Sequence, residues 1–151
     1  MNEKGSIAPI LLGFPLGLLL GLGVYTFGYA RGASYMTDDP TACANCHVMR
    51  EQFDGWQKSS HRAVAVCNDC HTPAGVIPKY LTKALNGMNH SLAFTSGRFP
   101  DDIVITTRNH KVADEACLKC HDDVTDMIRS ARHRGEGLSC TVCHRNVGHG
   151  H

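Results

Sequence analysis

All eight cysteines of this 151-residue chain fall into one pattern used four times: Cys43-Ala-Asn-Cys46-His47, Cys67-Asn-Asp-Cys70-His71, Cys117-Leu-Lys-Cys120-His121 and Cys140-Thr-Val-Cys143-His144. A Cys-x-x-Cys pair alone suits a zinc site or a redox disulfide. Neither chemistry calls for a histidine directly after the second cysteine, four times in four. Covalent c-type haem does, because the two thiols add to its vinyl groups and the adjoining imidazole reaches the iron. The pattern therefore predicts four haem c groups. Composition agrees, with 10 His and 8 Cys against 5 Phe, 4 Tyr and 1 Trp. Outside an apolar N-terminal stretch only about 120 residues remain to fold in water, too few to bury a large core unaided. Four macrocycles supply the missing apolar bulk. The net charge of +1 excludes the basic surplus expected of a nucleic-acid binder.

The motifs are spaced as a duplication. The first two start 24 residues apart, the last two 23 apart, and 50 residues separate the second from the third. His61 lies 14 residues after His47 and 6 before Cys67, while His133 lies 12 after His121 and 7 before Cys140. Equivalent positions suggest equivalent work, so His61 and His133 are predicted to be distal ligands beside the motif imidazoles His71, His121 and His144. His149 follows His144 by five residues, too close to wrap around one macrocycle, and as a ligand it must serve a different haem. His110 lies 7 residues before Cys117, as His133 does before Cys140, but its polar Thr106 to Asn109 context reads equally well as a solvated loop, and His151 is the terminal residue.

Ile7 to Ala30 is a run of 24 residues without a charge, between Lys4 and Arg31. It is long enough to span a bilayer and too long for the core of a cleavable signal peptide, so an uncleaved anchor is expected. Gly13, Gly17 and Gly21 share one helix face and would allow another membrane helix to approach closely, including that of a second copy. Pro9 is cheap near the helix start, whereas Pro15 should kink or locally unwind it. Haem attachment of this kind belongs on the outer side of a bacterial inner membrane, which places the N-terminus inside and the haem domain in the periplasm.

The first motif continues as Cys46-His47-Val48-Met49, putting a thioether two residues past the usual imidazole. Cys43 to Met49, Ser59-Ser60-His61, Cys67 to Pro73 and Cys143 to His149 together resemble the NapC/NirT family of membrane-anchored tetrahaem quinol dehydrogenases, and within it the small subunits of cytochrome c nitrite reductases. The resemblance implies that Met49, rather than His47, binds the first iron, with the sixth position open toward a quinol site at the membrane surface. It implies that Lys83 lines the quinol pocket. A carboxylate seven residues further on usually faces the first haem, and this chain has His90 there, after Asn89. His90 can act as proton acceptor or coordinate the first iron. One distal ligand can also come from the partner subunit in such complexes.

The implied function is that of a membrane-bound subunit that oxidises menaquinol and passes electrons through four haems to a multihaem nitrite reductase catalytic subunit, which makes ammonium. The competing readings are a tetrahaem cytochrome feeding another periplasmic reductase such as nitrate reductase, a tethered shuttle without a quinol site, or a terminal reductase in its own right. The expected fold is mainly α: a cytoplasmic N-terminus and single transmembrane anchor helix within residues 1–32, then a small tetrahaem domain over residues 33–151 with little or no sheet. Its two-haem units cover about 40–95 and 105–151. Helical signals between motifs are short, at Glu51 to Ser60 and Val76 to Phe94. Leu81, Leu85, Met88 and Leu92 share one face of the second helix, which can lie along the membrane surface. Gly97 to Asp102 reads as the loop joining the haem pairs.

Overall fold

The computed structural model describes residues 7–131 and 139–150. It falls into two compact units, Met1–Ser34 and Tyr35–His151. The first is built on helix α1, Ala8–Tyr29, which is long and apolar enough to cross a membrane and has none of its residues buried by the chain. Pro9 sits in the first turn, where a missing N–H costs nothing. The helix assignment continues through Pro15 without interruption. Of the two outcomes expected at Pro15, local unwinding does not occur, since the helix is continuous across it.

In the second unit every regular element among the described residues is helical: α2 (Pro40–Cys43), α3 (Arg50–Lys58), α4 (Cys67–His71), α5 (Val76–Ser96), α6 (Thr107–Ala131) and α7 (Cys140–Cys143). Local chemistry sets their ends. Asp39 caps α2 by accepting the Thr41 N–H at 2.9 Å, and Pro40 follows at the first helical position. Asp69 reaches back to accept the Val66 N–H at 2.8 Å at the start of α4. Helix α5 stops at Gly97, whose φ of 65° is left-handed, with the Arg98 N–H closing on the Ala93 carbonyl at 3.0 Å.

The predicted helices at 51–60 and 76–94 are present within two residues at each end, and Gly97 to Asp102 is non-helical. Helix α6 is the correction. It is 25 residues long, carries the third motif at its centre and includes His110, which the sequence reading placed in a solvated loop. Val112, Ala113, Ala116, Cys117 and Cys120 form a stripe at helical spacing, a signal hidden by the polar Thr106 to Asn109 run before it.

Side chains build almost no apolar core here. Among the described residues Ala116 is the one buried hydrophobic residue, while Thr72, Thr82 and Lys83 are buried and polar. Helix α4 packs on α6, and α7 also rests on α6.

Candidate functional site

On a helix, residues i, i+3 and i+4 project from one face. A Cys-x-x-Cys-His motif in helical conformation therefore presents two sulfurs and an imidazole together. The second and third motifs lie wholly within α4 and α6, and the fourth cysteine pair spans α7 with His144 at its C-terminal cap. The first motif differs. Helix α2 ends at Cys43, Cys46 is extended (φ −86°, ψ 119°), and His47–Met49 forms a separate 3-10 turn. No continuous helix carries His47 round to the cysteine face. His47 is exposed and lines a cleft of about 900 Å³ with Arg50, Asp54 and Asn146. Met49, at the end of the turn, is half-buried.

The leading cysteines of paired motifs lie close together, Cys43 beside Cys67 and Cys117 beside Cys140. These neighbours link the first motif to the second and the third to the fourth.

Two imidazole pairs form across the domain. The rings of His71 and His149 have centroids 5.9 Å apart and planes 10° apart, and those of His61 and His121 are 6.2 Å and 74° apart. Two metal–nitrogen bonds of about 2 Å and two ring radii of about 1 Å place axial imidazoles roughly 6 Å apart. Each pair therefore has the spacing that suits one iron between its rings, so the residues present fit haem. His61 Nδ1 donates to the Val147 carbonyl at 2.9 Å, which leaves Nε2 as the free lone pair, the usual arrangement behind a metal-bound histidine. His149 depends on a close approach by α3: a Cβ on Gly55 would lie 3.0 Å from His149 Cβ.

His110 is occupied otherwise, with Nε2 2.9 Å from Thr141 Oγ1 and Nδ1 3.6 Å from Asp114. His133 and His151 lie outside the described residues. No three His, Cys, Asp or Glu side chains converge among the described residues as a zinc site requires.

A separate polar cluster faces α5. Lys83 and His90 are two helical turns apart and share a face. Lys83 is 7% exposed, and its ammonium donates to the Thr37 carbonyl at 2.6 Å and to Asp38 Oδ1 at 3.3 Å, with the Tyr80 ring 5.5 Å away. Asp38 also pairs with Lys79 and accepts from Asn68 Nδ2 at 2.7 Å. Hydrogen bonding from Lys79 first, then from Asn68 and Lys83, holds its carboxyl at about 2. His90 Nδ1 lies 3.0 Å from the Tyr35 hydroxyl, and desolvation lowers its pKa from the ordinary histidine value. Gly87 admits Tyr35, since a Cβ there would stand 3.3 Å from Cε1 of that ring. Sequence reasoning reached Lys83 and His90 but not Tyr35, Asp38 or Asn68, because no periodicity links the stretch before the first motif to α5.

The NapC/NirT cytochrome c family, N-terminal region, matches residues 7–151. The cytochrome c-type protein NrfH of Wolinella succinogenes is 38% identical over 143 residues, covering 88% of this chain and 81% of that one. The cytochrome c nitrite reductase subunit NrfH of Nitratidesulfovibrio vulgaris is 32% identical over 148 residues, covering 98% and 90%. Among solved structures, a chain of the cytochrome c nitrite reductase NrfHA complex bound to the HQNO inhibitor aligns with a TM-score of 0.66 and 29% identity, over 93% of this chain and 90% of that one.

Proposed function

The chain belongs to the NapC/NirT cytochrome c family, and from that membership we propose that it is the membrane-anchored tetrahaem subunit that takes electrons from menaquinol and delivers them to a nitrite reductase catalytic subunit. Four covalent haem c groups, held by Cys43, Cys46, Cys67, Cys70, Cys117, Cys120, Cys140 and Cys143, supply the one-electron carriers. Helix α1 is the anchor in the inner membrane, and the haem domain lies on the periplasmic side.

His71 with His149, and His61 with His121, would each hold one iron, a reading supported by their 5.9 and 6.2 Å separations. Met49 would serve the first iron, supported by the break in helix at Cys46. His144 would serve the fourth, with His133 as a further ligand candidate.

A quinol releases two protons with its two electrons, so its site needs a donor that binds the oxygen and a base that accepts a proton. Lys83, ion-paired with Asp38, is an ammonium with donors and no acceptor, which suits it to bind a quinol oxygen. His90 is the base: with its Nδ1–H donating to the Tyr35 hydroxyl oxygen, Nε2 keeps the lone pair that takes the proton.

The observation that carries this reading is the family match along residues 7–151, with Lys83 and His90 on one face of α5. The test is reduction of the full-length holoprotein in detergent by a menaquinol analogue, followed in the haem absorbance. Lys83→Leu is expected to slow reduction by at least about tenfold, the loss of a charge-assisted hydrogen bond of about 1.5–3 kcal/mol. An unchanged rate removes Lys83 from the site. Failure of the wild type to be reduced favours the shuttle, and rapid nitrite turnover by the isolated chain favours a terminal reductase.

A further inference from the structure

Lys119 is one of the two residues between Cys117 and Cys120 and therefore belongs to the third attachment loop. Its ammonium donates to the carbonyls of Asp69 at 2.7 Å and Thr72 at 2.6 Å. Those carbonyls flank Cys70 and His71 in the second attachment loop, across some 50 residues of sequence. Thr72, which also donates its hydroxyl to the Asn68 carbonyl at 2.7 Å, is 4% exposed. A single cation thus spans the last turn of α4 and the middle of α6, the helix against which α4 packs.

Two physical consequences follow. Cations belong at helix C-termini, where carbonyls lack backbone partners, so Lys119 ties the end of α4 to α6. The positive charge also stands beside both motifs, where it stabilises whichever neighbour carries the extra electron.

We propose that Lys119 is the positioning residue of the junction between the two two-haem units: it clamps the second attachment loop to the third and holds both neighbouring potentials up. The inference rests on the tetrahaem reading above. One electron crosses the junction at a time, and no proton or bond changes hands there.

The test uses three variants of the full-length holoprotein in detergent. Lys119→Arg keeps charge and donors, Lys119→Gln keeps a donor without the charge, and Lys119→Met removes both. Potentiometric titration followed in the haem absorbance is expected to show two of the four potentials falling in the Gln and Met variants. The reduction equilibrium should change by about three- to tenfold, tenfold being about 59 mV for a one-electron couple. The Arg variant should stay at the wild-type values. Low-temperature paramagnetic resonance should show altered axial-ligand signals in Met alone, because only Met loses the clamp.

Unmoved potentials in both the Gln and Met variants overturn the proposal, as does an equal fall in all four. If Met does not accumulate, the Gln variant decides on potential alone. A wild type lacking four covalent haems or bis-histidine signals would instead overturn the underlying tetrahaem reading, which separates the two failures.

Discussion

Asp38 is the hub of the α5 cluster, and its replacement by Asn yields a magnitude that can be worked out in advance. The carboxyl is lowered from 3.8 to about 2, chiefly by the hydrogen bond from Lys79. At 1.36 kcal/mol per pKa unit this shift corresponds to at most roughly 2.5 kcal/mol. The Asp38 side chain is 47% exposed and that of Lys79 26%, so solvent screening reduces the useful part to about 1 kcal/mol. Asn also leaves the ammonium of Lys83, only 8% exposed, short of a charged partner, which adds on the order of 1 kcal/mol. Asp38→Asn should therefore destabilise the holoprotein by about 1–2 kcal/mol at pH 7. The pH dependence has a definite sign. A carboxylate with a depressed folded-state pKa contributes stability above its unfolded value and loses it as pH falls through the folded one. The difference between wild type and variant should thus be full at pH 5–7 and shrink between pH 4 and pH 2. Guanidinium unfolding followed by far-ultraviolet circular dichroism measures it, and a double-mutant cycle with Lys83→Met isolates the pair. A difference that is the same at pH 7 and pH 2, or a coupling below about 0.3 kcal/mol, would refute the assignment of Asp38 as the counter-ion of Lys83.

Other substitutions test the remaining geometry. His149→Ala and His61→Ala should each convert one low-spin haem to high-spin in the absorption and resonance spectra, and the double variant should convert two; conversion of the same haem by both would break the pairing. Gly55→Ala should perturb the His149-dependent signal, costing about 1–3 kcal/mol by overpacking, since the new methyl meets His149 Cβ at 3.0 Å. Quinol oxidation should fall away on the acid side as His90 protonates, with its midpoint below the ordinary histidine value of about 6.5 because desolvation lowers it. His90→Ala should erase that limb, and Tyr35→Phe should shift it while slowing the rate.

How much of this could be read from the sequence depends on whether the signal was local. The four Cys-x-x-Cys-His motifs are local, and so are the haem count, the duplicated spacing and the candidacy of His61 and His149. The partners of those two histidines were not legible, because His61 meets His121 and His149 meets His71 through contacts between segments at least 60 residues apart in sequence rather than through any repeat. Lys83 and His90 are candidates by resemblance, and their seven-residue interval already places them on one helix face. Tyr35, Asp38 and Asn68 escaped because each acts on a residue at least 30 positions away. Helix α6 escaped for a different reason: the polar run from Thr106 to Asn109 precedes its apolar stripe, and that stripe consists partly of cysteines that read as haem anchors.

The residues between the cysteines bear on a general point about such motifs, since attachment chemistry places no demand on them. In three of the four motifs they nevertheless form the joints of the domain. Asn68 binds Asp38 and the Thr37 carbonyl, Lys119 binds the Asp69 and Thr72 carbonyls, and Thr141 binds Asp114 and His110. With Ala116 the one buried apolar side chain among the described residues, these polar joints set how the attachment loops lie against each other. Exchanging Leu118 and Lys119 through Leu118→Lys with Lys119→Leu tests the point, because it preserves composition, charge and the Cys-x-x-Cys-His pattern. The full complement of covalent haem should remain, as judged by mass and by the pyridine haemochrome spectrum. The melting temperature should nonetheless fall by several degrees, as expected for a loss of about 1–2 kcal/mol, and transfer between the two halves should slow. Wild-type melting and transfer in the exchanged protein would show that the inter-cysteine residues only fill space, and that haem contacts alone fix the path.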